Sequence, residues 1–593
     1  MLKKLLAAIH KLFDPTFTGA SAKAFSLKHA KAKPQPPATP TPPLPPAPPP
    51  TAAERLKARL ESAEEHIDDV LGTLQTDLTV DAEVTIGRLK AALHADRGAD
   101  VTFREFELPF DPPLKACMVF YAGVVNGAGL ELGVLQPLMD LSRKAGRETG
   151  LSLLYLVERS LMPGRQTARC FALSVAVAEV AAGQAALILD TVPGILLIDE
   201  RKFPDRAVES PVAEQVVRGP QEGFTENIVT NTGLLRRRLR TPDLLFERVV
   251  VGRRSRTNVL VAYMLGLTNP ALLDEARRRL SGIDIDMLEG SGTLEQLLED
   301  SPRGFFPTIQ DTQRPDRAAA ALAEGRLVFF VDGSPFALIA PVGFANFLHS
   351  PEDYYIKWPF GSILRFIRIC GLLATLLLPA TYIAIANFHQ EMIPSSLLLA
   401  IAASRENVPF PAQFEVMMME IAFEVIREGS LRIPTVLGQT VGIVGALILG
   451  QAAVMANIVS PILVIVVATT ALGSFTIPNY GLSLPVRFGR FLFIGLAGTF
   501  GLYGIAAGLF LVSAQAASLR SFGVPYLAPS GPHQPGSPDV VVRGPAFAMD
   551  QRPSLARPME LQRQATGLMG WNPEVPQPKQ GKGKGSSHEG SNP

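Results

Sequence analysis

The 593-residue chain is poor in cysteine, tryptophan and charge: it has three cysteines and two tryptophans, and Asp, Glu, Lys and Arg make up 19% of it. Cys117, Cys170 and Cys370 lie far apart, so neither a disulfide framework nor a CxxC metal site can be assembled. Each cysteine is expected to pack as a small apolar residue. The eight histidines are scattered and none makes HExxH, there is no GxxxxGK[ST] phosphate loop, and Gly127 and Gly129 lack the GxGxxG spacing. The common zinc-hydrolase and nucleotide-binding signatures are therefore missing. Asp284 and Asp286 are not followed by a calcium-loop pattern and read as surface acids. Lys plus Arg number 56 against 55 Asp plus Glu, a net charge of +1, which gives no global electrostatic case for nucleic acid. No nucleophile-and-base constellation is legible, so a non-enzymatic protein without a cofactor is expected.

Apolar residues, by contrast, make up 47% of the chain and the mean hydropathy is +0.20, which points to a membrane. Three runs are free of Asp, Glu, Lys and Arg: 369–390, 433–486 and 491–519. About 20 such residues cross a hydrocarbon core. The middle run holds two spans, divided near 455–461, where Asn457 and Ser460 can cap a new helix and Pro461 suits its first turn. Four spans are expected. Between them, 410–428 carries Glu415, Glu420, Glu424 and Glu428. At 100° per residue the last three share one helix face. This acidic helix is either re-entrant or interfacial, with its acids in water, or a fifth span facing a polar cavity. In the second case Glu420, Glu424 and Glu428 are candidates for an ion pathway, because a ring of carboxylates from several copies attracts cations. Lys357, Arg365 and Arg368 ahead of the first span favour a cytoplasmic start. Four crossings return the tail to that side, and five do not. Gly438, Gly442, Ala446 and Gly450 recur at every fourth position, as a seam where another helix backbone can approach. Gly498, Gly501, Gly504 and Gly508 do much the same.

The remainder divides by composition. Residues 1–33 form a basic amphipathic arm suited to an anionic membrane surface, and 34–50 form a proline-rich linker. Residues 51–240 and 241–356 read as two cytoplasmic subdomains, dividing near Arg240. Helical patterns lie at 52–76 and 130–144, and strand-like runs at 115–121, 187–189, 194–198, 249–251, 259–263 and 327–331. The transmembrane bundle covers 357–520, and 530–593 reads as a disordered tail. The expected fold is thus an α/β or α+β soluble N-terminal region of two subdomains, followed by an all-α multipass membrane bundle.

Long strings then bring a family into view. VESPVAEQVVRGPQEGFTENIVTNTGLLRRR at 208–238 resembles the signature of the A subunit of GerA-type spore germinant receptors. DTQRPDRAAAALAEGRLVFFVDGSPFALIAP at 311–341, SPEDYY at 350–355, FHQEMIP at 388–394 and VPFP at 408–411 resemble it in the same order. EIAFEVIREG at 420–429, SFTIPNY at 474–480 and SLRSFGVPYLAP at 518–529 extend the match. Gln313 stands where that family usually has Glu. The resemblance implies a multipass protein of the spore inner membrane, with membrane lipid around it. It further implies a partnership with a transporter-like B subunit that senses nutrients and a lipoprotein C subunit, and homo-oligomerisation into a germinant-gated cation channel. Arg218, Gly219, Pro220, Glu222, Gly223, Phe224 and Glu226 are expected to form a structural turn or subunit contact. The related stage V sporulation AF protein shares these strings, and a non-conducting scaffold of receptor clusters is the alternative from another class.

Overall fold

The computed structural model describes residues 81–109, 113–142, 157–158, 166–192, 194–202, 214–431, 450–531, 539–540 and 542–564, with the single residues 78 and 211. The basic arm, the proline-rich linker, the helical pattern at 52–76 and three of the four residues of the first small-residue seam, Gly438, Gly442 and Ala446, lie outside the described residues.

Two five-stranded sheets follow one another along the chain. The first is built from α1 (Ala82–Ala92), β1 (Val101–Leu108), β2 (Leu114–Tyr121), α2 (Gln136–Ser142), β3 (Thr167–Cys170), α3 (Leu173–Ala181), β4 (Ala185–Leu189) and β5 (Ile195–Ile198). After α4 (Ile228–Arg238), the second uses β6 (Leu244–Val251), β7 (Thr257–Met264), α5 (Pro270–Ser281), α6 (Ser291–Leu298), β8 (Gln310–Thr312), α7 (Pro315–Ala323), β9 (Leu327–Val331) and β10 (Ala337–Ala340). Their strand orders are β1-β2-β4-β5-β3 and β6-β7-β9-β10-β8, and every pair is antiparallel. The two sheets thus share one topology, and antiparallel pairing makes the region α+β. β4, β5, β9 and β10 are buried along their whole length, which is why they read as continuous apolar runs. The edge strand β1 carries Arg104, Glu105 and Glu107 on its exposed positions and so gives no such signal.

The expected division near Arg240 is corrected. Phe224, Ile228, Leu234 and Leu235 pack in the same core as Leu244, Phe246, Leu260 and Phe330, so α4 belongs with the second sheet. It is tied to the first sheet by Arg236, which is buried and donates to both carboxylate oxygens of Asp100 at 2.8 and 3.0 Å. Its guanidinium lies 3.9 Å from the Tyr121 ring centre.

Beyond the second sheet lie α8 (Trp358–Phe388), α9 (Ser395–Arg405), α10 (Ala412–Leu431), α11 (Pro461–Phe475) and α12 (Tyr480–Ser518). Among the described residues, α8 and α12 are long and apolar enough to cross a membrane by length and composition. The break expected near 455–461 lies between a helical segment at 450–455 and α11, with Asn457 at φ +53°, Ser460 at the N-cap and Pro461 in the first turn.

The run 491–519, expected as one span, is corrected as well. Gly501 has φ +61° and ψ −137°, outside helical geometry. Residues eight apart in a straight helix lie about 12 Å apart along the axis. Here, however, a Cβ on Gly504 would run into the Leu496 carbonyl oxygen, and one on Gly508 would lie 2.8 Å from Phe493 Cε1. The chain therefore reverses at Gly501, and the two arms of α12 pack side by side through these glycines. His389 Nε2 accepts the Leu502 N–H at 3.3 Å, satisfying an amide just after the reversal. Both ends of the hairpin return to the second sheet region. Asn479 Nδ2 donates to Asp311 at 3.1 Å, while Ser521 Oγ donates to the Thr308 carbonyl at 2.6 Å and accepts from the Val342 N–H at 3.0 Å.

The tail also departs from expectation, because residues 542–564 are laid against the second sheet region. Met549, Leu555 and Ala556 are buried. Arg552 Nε donates to the Ala323 carbonyl at 3.0 Å, and the Met559 N–H donates to the Leu267 carbonyl at 2.9 Å. A proline-rich segment can be held this way by a few apolar anchors and backbone hydrogen bonds, without a core of its own.

Candidate functional site

α10 supplies four of the acids singled out in the sequence, and the structure separates them. Glu420 is buried, and its Oε2 lies 2.8 Å from Arg490 Nη1. Glu424 is bracketed by Arg487 and Arg490, each within ion-pair distance. Arg427, on the same helix, has its guanidinium 4.4 Å from the Phe475 ring centre and donates to Ser474 Oγ. Glu428 is exposed. Glu415 faces elsewhere: it is buried, 3.2 Å from Arg405, and accepts the Ser460 N–H at 3.2 Å. The expected stripe is therefore not an open row of carboxylates. Two of its members are neutralised by arginines of the first arm of α12. Glu420 and Glu424 are four apart and Arg487 and Arg490 three apart. Each pair therefore occupies one helix face, and that spacing was the available signal.

The surroundings invert the usual order. Outward positions of these helices are apolar and open, with Val425 66%, Leu472 68% and Phe510 72% exposed, whereas Arg490 is 2% exposed. Charge inside and hydrocarbon outside suits a solvent that is itself apolar. Of the first glycine seam, Gly450 is described, and its nearest neighbour, Val464 Cγ1, would lie 3.6 Å from an added Cβ.

The string at 218–226 packs as a turn against α7. Gly219 has φ +137°, and a Cβ there would lie 2.8 Å from the Tyr355 ring. The Pro220 carbonyl accepts from Arg314 Nη2 at 2.8 Å, and Glu222 accepts from Arg237 and Arg238 at 2.9 and 2.8 Å. Gly223 is buried. Phe224 meets Phe330 edge-on at 5.0 Å, and its N–H donates to the Gln313 carbonyl at 2.7 Å. The Glu226 carbonyl accepts the Gly333 N–H at 2.9 Å, and Arg218 is exposed. Beside Gln313, Glu214 supplies the carboxylate, accepting from Thr312 Oγ1, the Gln313 N–H and Arg317 Nη1.

A second charged network fastens the start of α8. Asp353 is buried and accepts from Arg365 at 3.0 Å and Arg368 at 2.8 Å. Arg365 also donates to Asp539 of the tail at 2.5 Å. Arg543 donates to the Asp353 and Ile356 carbonyls. Two of the three cations used to orient the first span are thus internal partners. His349 Nε2 lies 2.7 Å from the Val540 carbonyl, which can only accept, so Nε2 carries the hydrogen. Burial, helped by the Arg365 guanidinium, lowers His349 to about 4, while Arg365 holds the buried Asp539 below the usual carboxylate range. In the unfolded chain His349 titrates near its ordinary 6.5. The stability it contributes is therefore present above that pH and is lost as pH falls towards 4. Lowering the pH from 7 to 4 is expected to reduce amide-exchange protection of 542–564 by roughly tenfold or more. His349→Gln, which keeps a donor for Val540, should flatten that profile.

Known proteins share much of this sequence. The family model described as Bacillus/Clostridium GerA spore germination protein matches residues 88–555. Spore germination protein KA of Bacillus subtilis (strain 168) is 37% identical over 456 residues, covering 77% of this chain and 83% of that protein. Spore germination protein B1 of the same strain is 38% identical over 459 residues, covering 77% and 93%. The membrane protein YfkQ, also of that strain, is 36% identical over 461 residues, covering 77% and 88%. The crystal structure of the N-terminal domain of the A subunit of the Bacillus megaterium spore germinant receptor GerK3 aligns with 45% of this chain and 97% of that domain. It is 30% identical, with a TM-score of 0.36. With most of its length inside the family model, the chain belongs to the GerA spore germination protein family.

Proposed function

We propose that the chain is the A subunit of a spore nutrient-germinant receptor. In this reading the helical region is multipass in the spore inner membrane, the two-sheet region is cytoplasmic, and a transporter-like B subunit and a lipoprotein C subunit complete the receptor. Several copies surround an axis and form a germinant-gated cation channel, without enzymatic chemistry. The observation that carries the membrane part is the buried cluster of Glu420, Glu424, Arg487 and Arg490 inside helices whose outward faces are apolar. Charges so placed are rare in bilayers and are kept for a function or a fixed pairing. Glu428, the exposed acid of the stripe, is the position at which copies could add carboxylates to a shared path.

Reconstituting the full-length protein in planar bilayers with its B and C partners tests this. Nutrient-dependent cation current is expected, and Glu428→Gln should lower cation-over-anion selectivity about threefold or more. Unchanged selectivity and conductance would remove the stripe from the path. One finding favours the non-conducting scaffold: Glu420 and Glu424 are already neutralised within the chain. Electrical silence together with retained capture of the B and C partners would support that reading.

A further inference from the structure

A cavity of about 990 Å³ opens where the helices leave the second sheet region, between α8, both arms of α12 and the loops at 303–306 and 527–531. Its inner wall is apolar, built from Leu372, Leu376, Phe493, Val512 and Ala516. Phe305, Leu373, Phe488 and Leu492 are partly exposed at its lip and continue into the outward apolar faces of α8 and α12. The volume is at the upper end of the roughly 300–1,000 Å³ of small-molecule sites. Among the described residues no Asp or Glu lines it. Two arginines do: Arg365 is engaged by Asp353 and Asp539, whereas Arg303 is exposed, with no hydrogen bond or ion pair of its side chain among the described residues. The exposed Arg520 follows Leu519, whose Cδ2 would lie 3.4 Å from a Cβ on Gly304. One end of the cavity therefore carries Arg303 without a facing carboxylate among the described lining residues, and most of the remaining wall is apolar, with His349, Ser513, Gln515 and Ser530 as polar members beside the engaged Arg365.

We propose that the cavity holds an acyl chain of an anionic phospholipid, with the headgroup phosphate at Arg303. The inference rests on the reading that α8 and α12 sit in a bilayer. An amphiphile entering from lipid passes the exposed lip without crossing a polar barrier, and its headgroup stays at the level where the helices meet the sheet region. Arginine matches phosphate oxygens in a planar fork, and basic residues at the membrane surface favour anionic lipid. An occupied cavity would brace the hairpin of α12 against α8, at the point where Asn479 and Ser521 fasten it.

The test uses the full-length protein in mild detergent with phosphatidylglycerol carrying a diazirine on its acyl chain, followed by irradiation and peptide mapping. Label is expected to concentrate on 369–376 and 512–516, at least fivefold above that from the matching phosphatidylcholine probe. Arg303→Gln, at an exposed position that leaves the fold intact, should reduce this headgroup preference to less than twofold. Ala516→Trp, which fills the cavity, should cut the label itself at least fivefold. Label spread evenly over outward residues such as Phe366 and Phe510 and indifferent to both variants would overturn the proposal. So would equal labelling by a diazirine fatty acid, or ultraviolet cross-links placing a second copy's peptide in the cavity. Carbonate extraction of membranes separates the two levels. Release of the protein sinks the bilayer reading, whereas retention with uniform label sinks only the cavity assignment.

Discussion

Arg490→Met is expected to destabilise the helical region by about 3–5 kcal/mol, the usual effect of removing one partner of a buried ion pair. Arg490 faces Glu420 on one side and Glu424 on the other. Glu424 keeps Arg487 when Arg490 is lost, but Glu420 retains no other ion-pair partner among the described residues. The effect therefore falls on Glu420, and it defines its own control. Glu420→Gln combined with Arg490→Met removes both charges and should recover most of the loss, with coupling between the two changes above 1 kcal/mol, as for residues in direct contact. Thermal denaturation of the full-length protein in detergent reads both numbers. A single-variant effect below about 1 kcal/mol, the range of exposed pairs, would show that water reaches this cluster.

Gly233→Ala should lower stability by about 3 kcal/mol or more, at the upper end of what overpacking costs. A Cβ on Gly233 would overlap the Gly123 carbonyl oxygen, and a Cβ on Gly123 would lie 2.7 Å from the Val229 carbonyl oxygen and 2.9 Å from the Gly233 nitrogen. Backbone meets backbone on both sides, so no flexible side chain can yield. The helix would have to move away, and Arg236, one turn on, would be pulled from Asp100 and the Tyr121 ring. Gly87→Ala is the contrast: that helical glycine has nothing within 4 Å of an added Cβ, and alanine there should stabilise by about 0.5–1 kcal/mol. Denaturant titration of the three proteins checks the order. Equal behaviour of the two substitutions would mean that the two sheet regions do not meet through these glycines.

Parts of the architecture were legible because they are local. LVFFV at 327–331 is a strand to the residue, since a central strand covered on both faces must be apolar throughout. Pro461 begins a helix where its missing N–H costs nothing. VTFREFEL at 101–108 was missed because an edge strand tolerates charge. The shared strand order of the two sheets was hidden for a related reason: topology is conserved by pairing, while the side chains on the two sheets differ. Within the site, the glutamates were visible but their partners were not, because Arg490 lies 66 residues from Glu424.

What the sequence by itself determined is the position of the long apolar runs and the family. Charge-free length and long ordered strings are properties of composition and order, and they need no contacts to be read. What only the tertiary structure decided is which segments meet. The reversal at Gly501 divides an apolar run that hydropathy reads as one span, the tail is held by Arg543 and buried Leu555, and the acids of α10 are neutralised by α12. A glycine backbone angle and a pairing between distant residues take their energy from close packing and desolvation at one place in space, and neither leaves a periodic trace along the chain.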